Sequence, residues 1–384
     1  YYFQMKIFYI STSTIPSRAA NSIHVMKMCA AINKDHKVTL IAPNRNKNLN
    51  SQKKEKNLRN HYGIAEIFKI KFINFNKISE GISYSINTLR YVLNNKPDLI
   101  ISRSIYSALL TTIFGFKTIL ELHSPPINWK ETLALFIISW MSSLIKVIVI
   151  TKSLFNYYSN TVYFKKIIKN FIILPDGVDL ERFSKKNIEN QDISNKFNFP
   201  KDKFIIGYVG HLYEGRGIDL IMDLALSCLD DYFIIIGGDD LSIKYYKEIA
   251  KSKKINNLKF FGFVDNMFLP FFYSKSHILL MPFDYVIRDR GGNNTASWAS
   301  PMKLFEYMAT KKPIISSDLP VFKEILNNTN SVLCSPQDRK QWVSAINKLK
   351  ANIEYRNNLA NKAYQDVKKY TWKIRVDKIL KDFI

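Results

Sequence analysis

Three short stretches of the 384-residue chain combine residue types that could bind an anionic, hydroxyl-rich ligand. In GYVGHLYEGRGIDLI, residues 207–221, an apolar run ends at Val209, a glycine-bearing turn with His211 and Arg216 follows, and a helical pattern opens near Ile218. Two potential cations beside open backbone amides form a candidate phosphate cradle. The same glycines could serve only to permit a tight strand-to-helix turn. In SPMKLFEYMATKKP, residues 300–313, Ser300 suits an N-cap and Pro301 the first helical position. The early amides of Met302, Lys303 and Leu304 would then face an anion. Glu306 follows one turn on. A carboxylate beside bound phosphate is costly unless it accepts hydrogen bonds, and a ribose diol is a natural donor; the alternative is a solvated Glu on an amphipathic helix. In Glu121-Leu122-His123, followed by Ser124-Pro125-Pro126, a histidine ends an apolar run just before a chain-breaking proline pair. There it could donate to a substrate hydroxyl or phosphate, or stand as a satisfied structural residue.

Two loops add polar groups. Ser11-Thr12-Ser13-Thr14 with Arg18 ends the first apolar run ahead of a helical stretch bearing His24, and either lines a cleft or caps that helix. Arg288–Asn294 is a polar, glycine-containing insertion before the Ser300 segment. It either closes over a ligand or is a surface loop.

These residues need a scaffold, and the hydrophobic pattern supplies one. Strand-length apolar runs at Lys6–Ser11, Val38–Ala42, Leu99–Ser102, Thr118–Leu122 and Val147–Thr151 alternate with helical patterns such as Asn21–Asn33. After a polar, turn-rich connector between Pro175 and Lys203, Phe204–Val209, Phe233–Ile236, Leu258–Phe261, Ile278–Met281 and Ile314–Ser316 repeat the alternation, with helices at Ile218–Leu229 and Pro301–Thr310. This βαβα order predicts an α/β chain of two doubly wound, Rossmann-like parallel-sheet domains in tandem. Ligands in such sheets bind outside the carboxyl ends of the strands, where the three stretches lie. The tract Asn44–Asn60 reads as a Lys/Asn-rich polar loop. Leu133–Ile150, the most apolar stretch, contains Ser142, Ser143 and Lys146 and reads as a buried helix running into a strand, not a membrane span.

Composition narrows the class. Hydrophobic residues make up 47% of the chain, enough for true cores. Cys29, Cys228 and Cys334 have no metal-ligand spacing, which predicts structural thiols in a reducing compartment. Residues 1–4 read as a tag remnant ahead of Met5, with no secretory signal. The net charge of +24 is uneven: residues 1–190 hold 27 basic and 11 acidic residues, the remainder 29 and 21. Such a surplus points to nucleic acid, an anionic membrane or phosphorylated substrates. Nucleic acid is disfavoured, because no binding motif is present and basic residues are not interleaved with aromatics in one segment.

The order of these motifs, together with Val149-Ile150-Thr151-Lys152-Ser153 and Pro175-Asp176-Gly177-Val178-Asp179 with Phe183, resembles the bacterial retaining glycosyltransferases of family 4, also called glycosyl transferases group 1. The resemblance implies the GT-B fold, two Rossmann-like domains facing each other across a cleft. Residues 5–184 would form the acceptor domain, 185–369 the nucleotide-sugar domain, and 370–384 a C-terminal helix crossing back to the first. It implies diphosphate contacts from His211, Arg216 and the amides of Met302, Lys303 and Leu304, a ribose contact from Glu306, and base contacts near Phe263 and Val264. It also implies an active-site role for His123, so that His123, Arg216 and Glu306 form the catalytic set. Departures are visible. His211 stands where the family has Arg, which shifts weight to groups such as Arg288. Trp298 replaces the first of two paired glutamates, and Pro301 replaces a glycine. Sugar recognition therefore falls to Asn293, Asn294, Thr295, Ser297, Trp298 and Ser300, and acceptor recognition to Ser13, Arg18 and His24.

The donor implied is a UDP- or GDP-sugar, with the base left open, no resident cofactor and no metal. A nucleotide-sugar epimerase on the same fold is the rival reading. The basic surplus on the acceptor side then fits docking on an anionic membrane, at the inner face of the cytoplasmic membrane, to reach a glycan or lipid-linked acceptor. A Lys-rich genome is the plain alternative.

Overall fold

The computed structural model describes residues 4–45, 52–184, 197–288, 292 and 294–383. The chain divides into two compact units, Tyr1–Pro175 with Trp372–Ile384, and Asp176–Thr371. Unit 1 runs β1 (Lys6–Ile10), α1 (Ala20–Ile32), β2 (Lys37–Pro43), α2 (Gln52–Tyr62), β3 (Lys69–Ile73), α3 (Glu80–Asn95), β4 (Leu99–Ser102), α4 (Ile105–Ile113), β5 (Thr118–Leu122), α5 (Trp129–Ile138), β6 (Leu144–Val149), α6 (Lys152–Ser159) and β7 (Phe171–Ile173). Its sheet order is β3-β2-β1-β4-β5-β6-β7, with every described pairing parallel. Unit 2 contributes β8 (Ile205–Val209), α7 (Ile218–Ser227), β9 (Tyr232–Ile236), α8 (Asp240–Ser252), β10 (Leu258–Gly262), α9 (Leu269–Lys275), β11 (Ile278–Met281), α10 (Met302–Ala309), β12 (Ile314–Ser317), α11 (Pro320–Lys323), β13 (Val332–Cys334), α12 (Arg339–Ala351) and α13 (Ile353–Val367). These strands form a second parallel sheet, β10-β9-β8-β11-β12-β13. The last helix, α14 (Trp372–Leu380), returns to unit 1 and packs on α1.

Parallel sheets covered on both faces need strands that are apolar throughout. β4, β5, β8, β11 and β12 are buried at every residue, and Ile7, Ile10, Ile100, Ile119, Phe233 and Ile278 are wholly inaccessible. In each sheet the order reverses beside the first strand, β1 lying between β2 and β4 and β8 between β9 and β11. Such a reversal splays the following loops to opposite sides and opens a crevice at the strands' carboxyl ends. In unit 1 these are the loops after Ile10 and Ser102; in unit 2, those after Val209 and Met281.

Two local expectations are corrected. The end of the Asn44–Asn60 tract is not loop: Gln52–Tyr62 is helical, and residues 46–51 lie outside the described set. Ser300 does not cap α10. Pro301 is extended at φ −74°, ψ 116°, and occupies the cap position with no side-chain bond, while Ser300 Oγ accepts the Asp176 amide at 3.1 Å. The three cysteines are buried and free. Among the described residues no helix is long and apolar enough to cross a membrane.

Candidate functional site

In unit 2 the loops on either side of the crevice meet. Gly215 and Gly217 both have positive φ, 79° and 76°. A Cβ on Gly215 would lie 1.7 Å from the Val286 carbonyl oxygen, and one on Gly217 1.8 Å from that of Pro282. The glycines are therefore needed twice over, for backbone conformation and for the approach of the loop after β11. Between them sits Arg216, its guanidinium 4.6 Å from the centre of the Phe283 ring. His211 stacks on Tyr213 at 4.8 Å, and its carbonyl accepts the Tyr208 hydroxyl. The cations thus project from a turn whose shape is imposed by packing.

Beyond this turn, Glu306 is buried, not solvated as on a free amphipathic helix. Tyr273 Oη donates to its Oε2 at 2.6 Å and Lys303 Nζ to the same oxygen at 2.7 Å. Burial opposes ionisation, but Lys303 and Arg182 outweigh it and hold this carboxyl below its ordinary range. Arg182 is itself anchored by donation to the Asn266 carbonyl. Tyr273, buried beside the carboxylate, is pushed far up and stays a donor. Among the described residues both hydrogen bonds fall on Oε2, so Oε1 is the oxygen left to meet a ligand. The Leu304 amide donates to the Pro301 carbonyl at 2.9 Å, which removes it from the three amides expected to meet an anion.

The expected sugar-side residues divide. Asn293 lies outside the described residues. Asn294 Oδ1 accepts the amides of Ile287 and Ala296, and Thr295 Oγ1 donates to the Ile287 carbonyl, so both side chains hold the insertion in place. Ser297 is exposed and Trp298 and Ser300 are half-buried. Arg288 pairs with Glu214 at 2.9 Å, so the extra cation is already engaged. Phe263 and Val264 follow β10 directly and are half-buried.

In unit 1 one carboxylate organises a buried cluster. Glu121, at the end of β5, has a fully inaccessible side chain. Its Oε1 lies 2.7 Å from His123 Nε2, 2.8 Å from His24 Nε2 and 3.1 Å from an Arg375 guanidinium nitrogen, and its Oε2 accepts Tyr9 Oη at 3.0 Å. Burial works against the charge, but Arg375, His24 and the imidazole hydrogen bonds win and hold the carboxyl well below its usual range. An ionised Glu121 only accepts, so His123 donates from Nε2, while His24 Nε2 lies within ion-pair distance of the same oxygen. Burial, then Arg103, pulls His123 down, and the ring is neutral near pH 7. Its proton is spent on Glu121 and Nδ1 is left as an acceptor, which reverses the expected donor role. His24, His123 and Glu121 offer three ligand atoms within 4.8 Å of one another, a set able to hold a metal ion by distance. The guanidinium on the same carboxylate oxygen disfavours a second cation there. Ser13 is buried behind Ser11, whose hydroxyl donates to it at 2.9 Å, and Arg18 is exposed.

Sequence reasoning missed Tyr9, Arg375, Arg182, Tyr273 and the Lys303 side chain. Arg375 is 254 positions from Glu121, a separation at which no spacing rule operates. The Lys303–Glu306 pair, by contrast, has the i, i+3 helical spacing and was open to discovery.

Residues 189–366 match the model of the family described as glycosyl transferases group 1. Over 190 residues the chain is 25% identical to the O-antigen biosynthesis glycosyltransferase WclY of Escherichia coli, covering 47% of this chain and 46% of that protein. Over 171 residues it is 28% identical to the O-antigen chain mannosyltransferase RfbU of Salmonella typhimurium, covering 42% and 45%. The matched region thus spans under half of either relative. Among solved structures, a sucrose-phosphate synthase from Thermosynechococcus elongatus superposes with a TM-score of 0.75 at 15% identity, covering 99% and 98% of the two chains. Anabaena Alr3699/HepE in complex with UDP-glucose gives 0.72 at 13%, covering 99% of each. The chain shares the fold of these GT-B proteins, with two Rossmann-like parallel-sheet domains.

Proposed function

We propose that this chain is a retaining glycosyltransferase of bacterial cell-surface polysaccharide assembly, moving a sugar from a nucleotide diphosphate sugar to a hydroxyl of a glycan or lipid-linked acceptor. The observation that carries the reading is Glu306: a buried, ionised carboxylate whose Oε2 takes both Tyr273 and Lys303, one turn into the helix that opens at Met302. A carboxylate in that position suits a ribose diol. The group 1 family match, the O-antigen roles in the names of both relatives and the UDP-glucose held by the Anabaena protein support the donor class.

Unit 2 would hold the donor. Phe263 and Val264 would take the base, Glu306 Oε1 the ribose, and Arg216, His211 and the Met302 and Lys303 amides the diphosphate. Ser297 and Trp298 would contact the sugar. Unit 1 would serve the acceptor side, with His123 Nδ1 accepting from a sugar hydroxyl while Glu121 holds the ring, and with His24, Ser13 and Arg18 nearby in sequence order. The acceptor oxygen attacks C1 from the face the diphosphate leaves. The C1–O bond to phosphate breaks, and the hydroxyl proton passes to the departing phosphate oxygen. Charge developing on the diphosphate is the main electrostatic demand, which Arg216 and the helix amides would meet without a metal.

Turnover of UDP- and GDP-sugars with and without chelator tests this. Arg216→Ala should lower transfer about 10²–10³-fold in a folded protein, and a chelator should leave the wild-type rate unchanged. Near-normal turnover of R216A would refute the assignment.

A further inference from the structure

The outer face of α5 contradicts its own composition. A helix on a protein surface normally buries its apolar face and turns polar residues to water, and Ala134, Leu135 and Ile138 are indeed buried on its inner face. Yet Trp129 is 70% exposed, Leu133 48%, Phe136 42% and Trp140 60%, and Ile127 just ahead is 77% exposed. Positions 129, 133 and 136 recur at helical spacing on α5, so they form one outward stripe, and Trp140, in the turn just past the helix end, extends it with its ring 6.2 Å from that of Phe136. The neighbouring helix α4, packed against α5, adds Ile113 at 51% and Phe114 at 53% where it ends. The exposure is built into the structure. Asn128 Oδ1 accepts the Glu131 amide at 3.0 Å while Glu131 Oε2 accepts the Ile127 amide at 2.8 Å, a reciprocal cap that fixes the helix start.

We propose that this face, Ile127, Trp129, Leu133, Phe136 and Trp140 with Ile113 and Phe114, docks unit 1 on an anionic lipid bilayer. Charge selects the occupant. Unit 1 holds 28 basic residues against nine acidic ones, so it carries +19 of the chain's +24. Two copies meeting face to face would oppose those charges, whereas an anionic surface attracts them. Lys130, its Nζ 5.9 Å from the Trp129 ring, supplies the cation that accompanies interfacial aromatics. The ten residues of α5 span about 15 Å at helical rise, too short to cross a bilayer and suited to lying in its surface. Ile127 is four positions past His123, on the same loop after β5, so docking here brings the lipid surface to the acceptor side. The proposal thereby rests on the acceptor reading of unit 1 and gives it a lipid-borne source.

Flotation of the full chain with vesicles tests it, phosphatidylglycerol/phosphatidylethanolamine against phosphatidylcholine alone. The wild type should float with the anionic vesicles, and brominated lipid should quench its tryptophan fluorescence. Trp129→Ser with Leu133→Ser, at sites too exposed to carry the fold, should weaken binding at least roughly tenfold. Far-UV circular dichroism confirms folding, and Leu133→Ser alone serves if the pair does not fold. A thermal shift with UDP or GDP, retained in the variant, separates a failed docking surface from a failed donor assignment. The proposal is overturned if wild type stays with the dense fraction, or if the variant floats equally well. It is also overturned if gel filtration shows a wild-type dimer that the variant abolishes without any vesicle binding.

Discussion

Glu121 in unit 1 and Glu306 in unit 2 are both buried and both ionised, yet their surroundings differ in one respect. Glu121 meets donors on both oxygens, from β1, α1, the loop after β5 and α14. Among the described residues Glu306 meets its two side-chain donors on one oxygen. A buried carboxylate saturated on both oxygens holds elements together; one with an oxygen to spare can bind. The cluster around Glu121 accordingly ties the returning helix α14 to the first sheet, where Arg375 also donates to the Pro175 and Leu174 carbonyls, and presents only His123 outward.

The contrast is open to attack. Glu121→Gln removes the charge facing a buried Arg375 and should cost about 3–5 kcal/mol in urea unfolding. Glu306→Gln keeps the Tyr273 contact and should cost only about 1–2 kcal/mol, while weakening nucleotide binding about tenfold in titration calorimetry. Equal stability losses would erase the distinction. Gly217→Ala should cost about 2–4 kcal/mol, since a Cβ there meets a backbone carbonyl at positive φ. An unchanged melting temperature would mean the two loops of unit 2 can move apart.

Acid should give the smallest signal. His123 is lowered in the folded state, so the unfolded chain takes up its proton first and stability falls as pH drops below about 6.5. His36 and His277 are lowered too and add the same sign. Glu121 is lowered, so its contribution is present above about pH 4.3 and is lost as pH falls further. His123→Asn should flatten the slope below about pH 6.5, and, because it removes an imidazole donor from Glu121, should also move the lower range toward higher pH; an identical profile would place the titration elsewhere.

How much was legible beforehand depends on the strand. Leu99–Ser102, Thr118–Leu122 and Ile278–Met281 were read with their observed bounds, because buried parallel strands are apolar throughout. The edge strands β3, β7 and β13 escaped notice. Exposed residues, as at Lys69 and Lys71, dilute the hydrophobic signal, and β7 and β13 have three residues each. At the candidate site, His211, Arg216, Glu306 and His123 were chosen because local types and spacing speak of chemistry. Ser300 was misassigned as a cap because local pattern weighs Pro301 as a helix start, whereas the Asp176 amide, 124 positions away, claims the serine hydroxyl.

The sequence by itself determined the two doubly wound sheets, through hydrophobic runs that only a covered parallel sheet can bury. It also determined which residues stand at the strand ends. Tertiary structure alone decided what those residues can do. Which oxygen of a carboxylate is already taken, which nitrogen of His123 carries the proton, and which face of α5 meets water all depend on partners far along the chain. Hydrogen bonds and burial act through space, and spacing along a sequence records them only within a few turns.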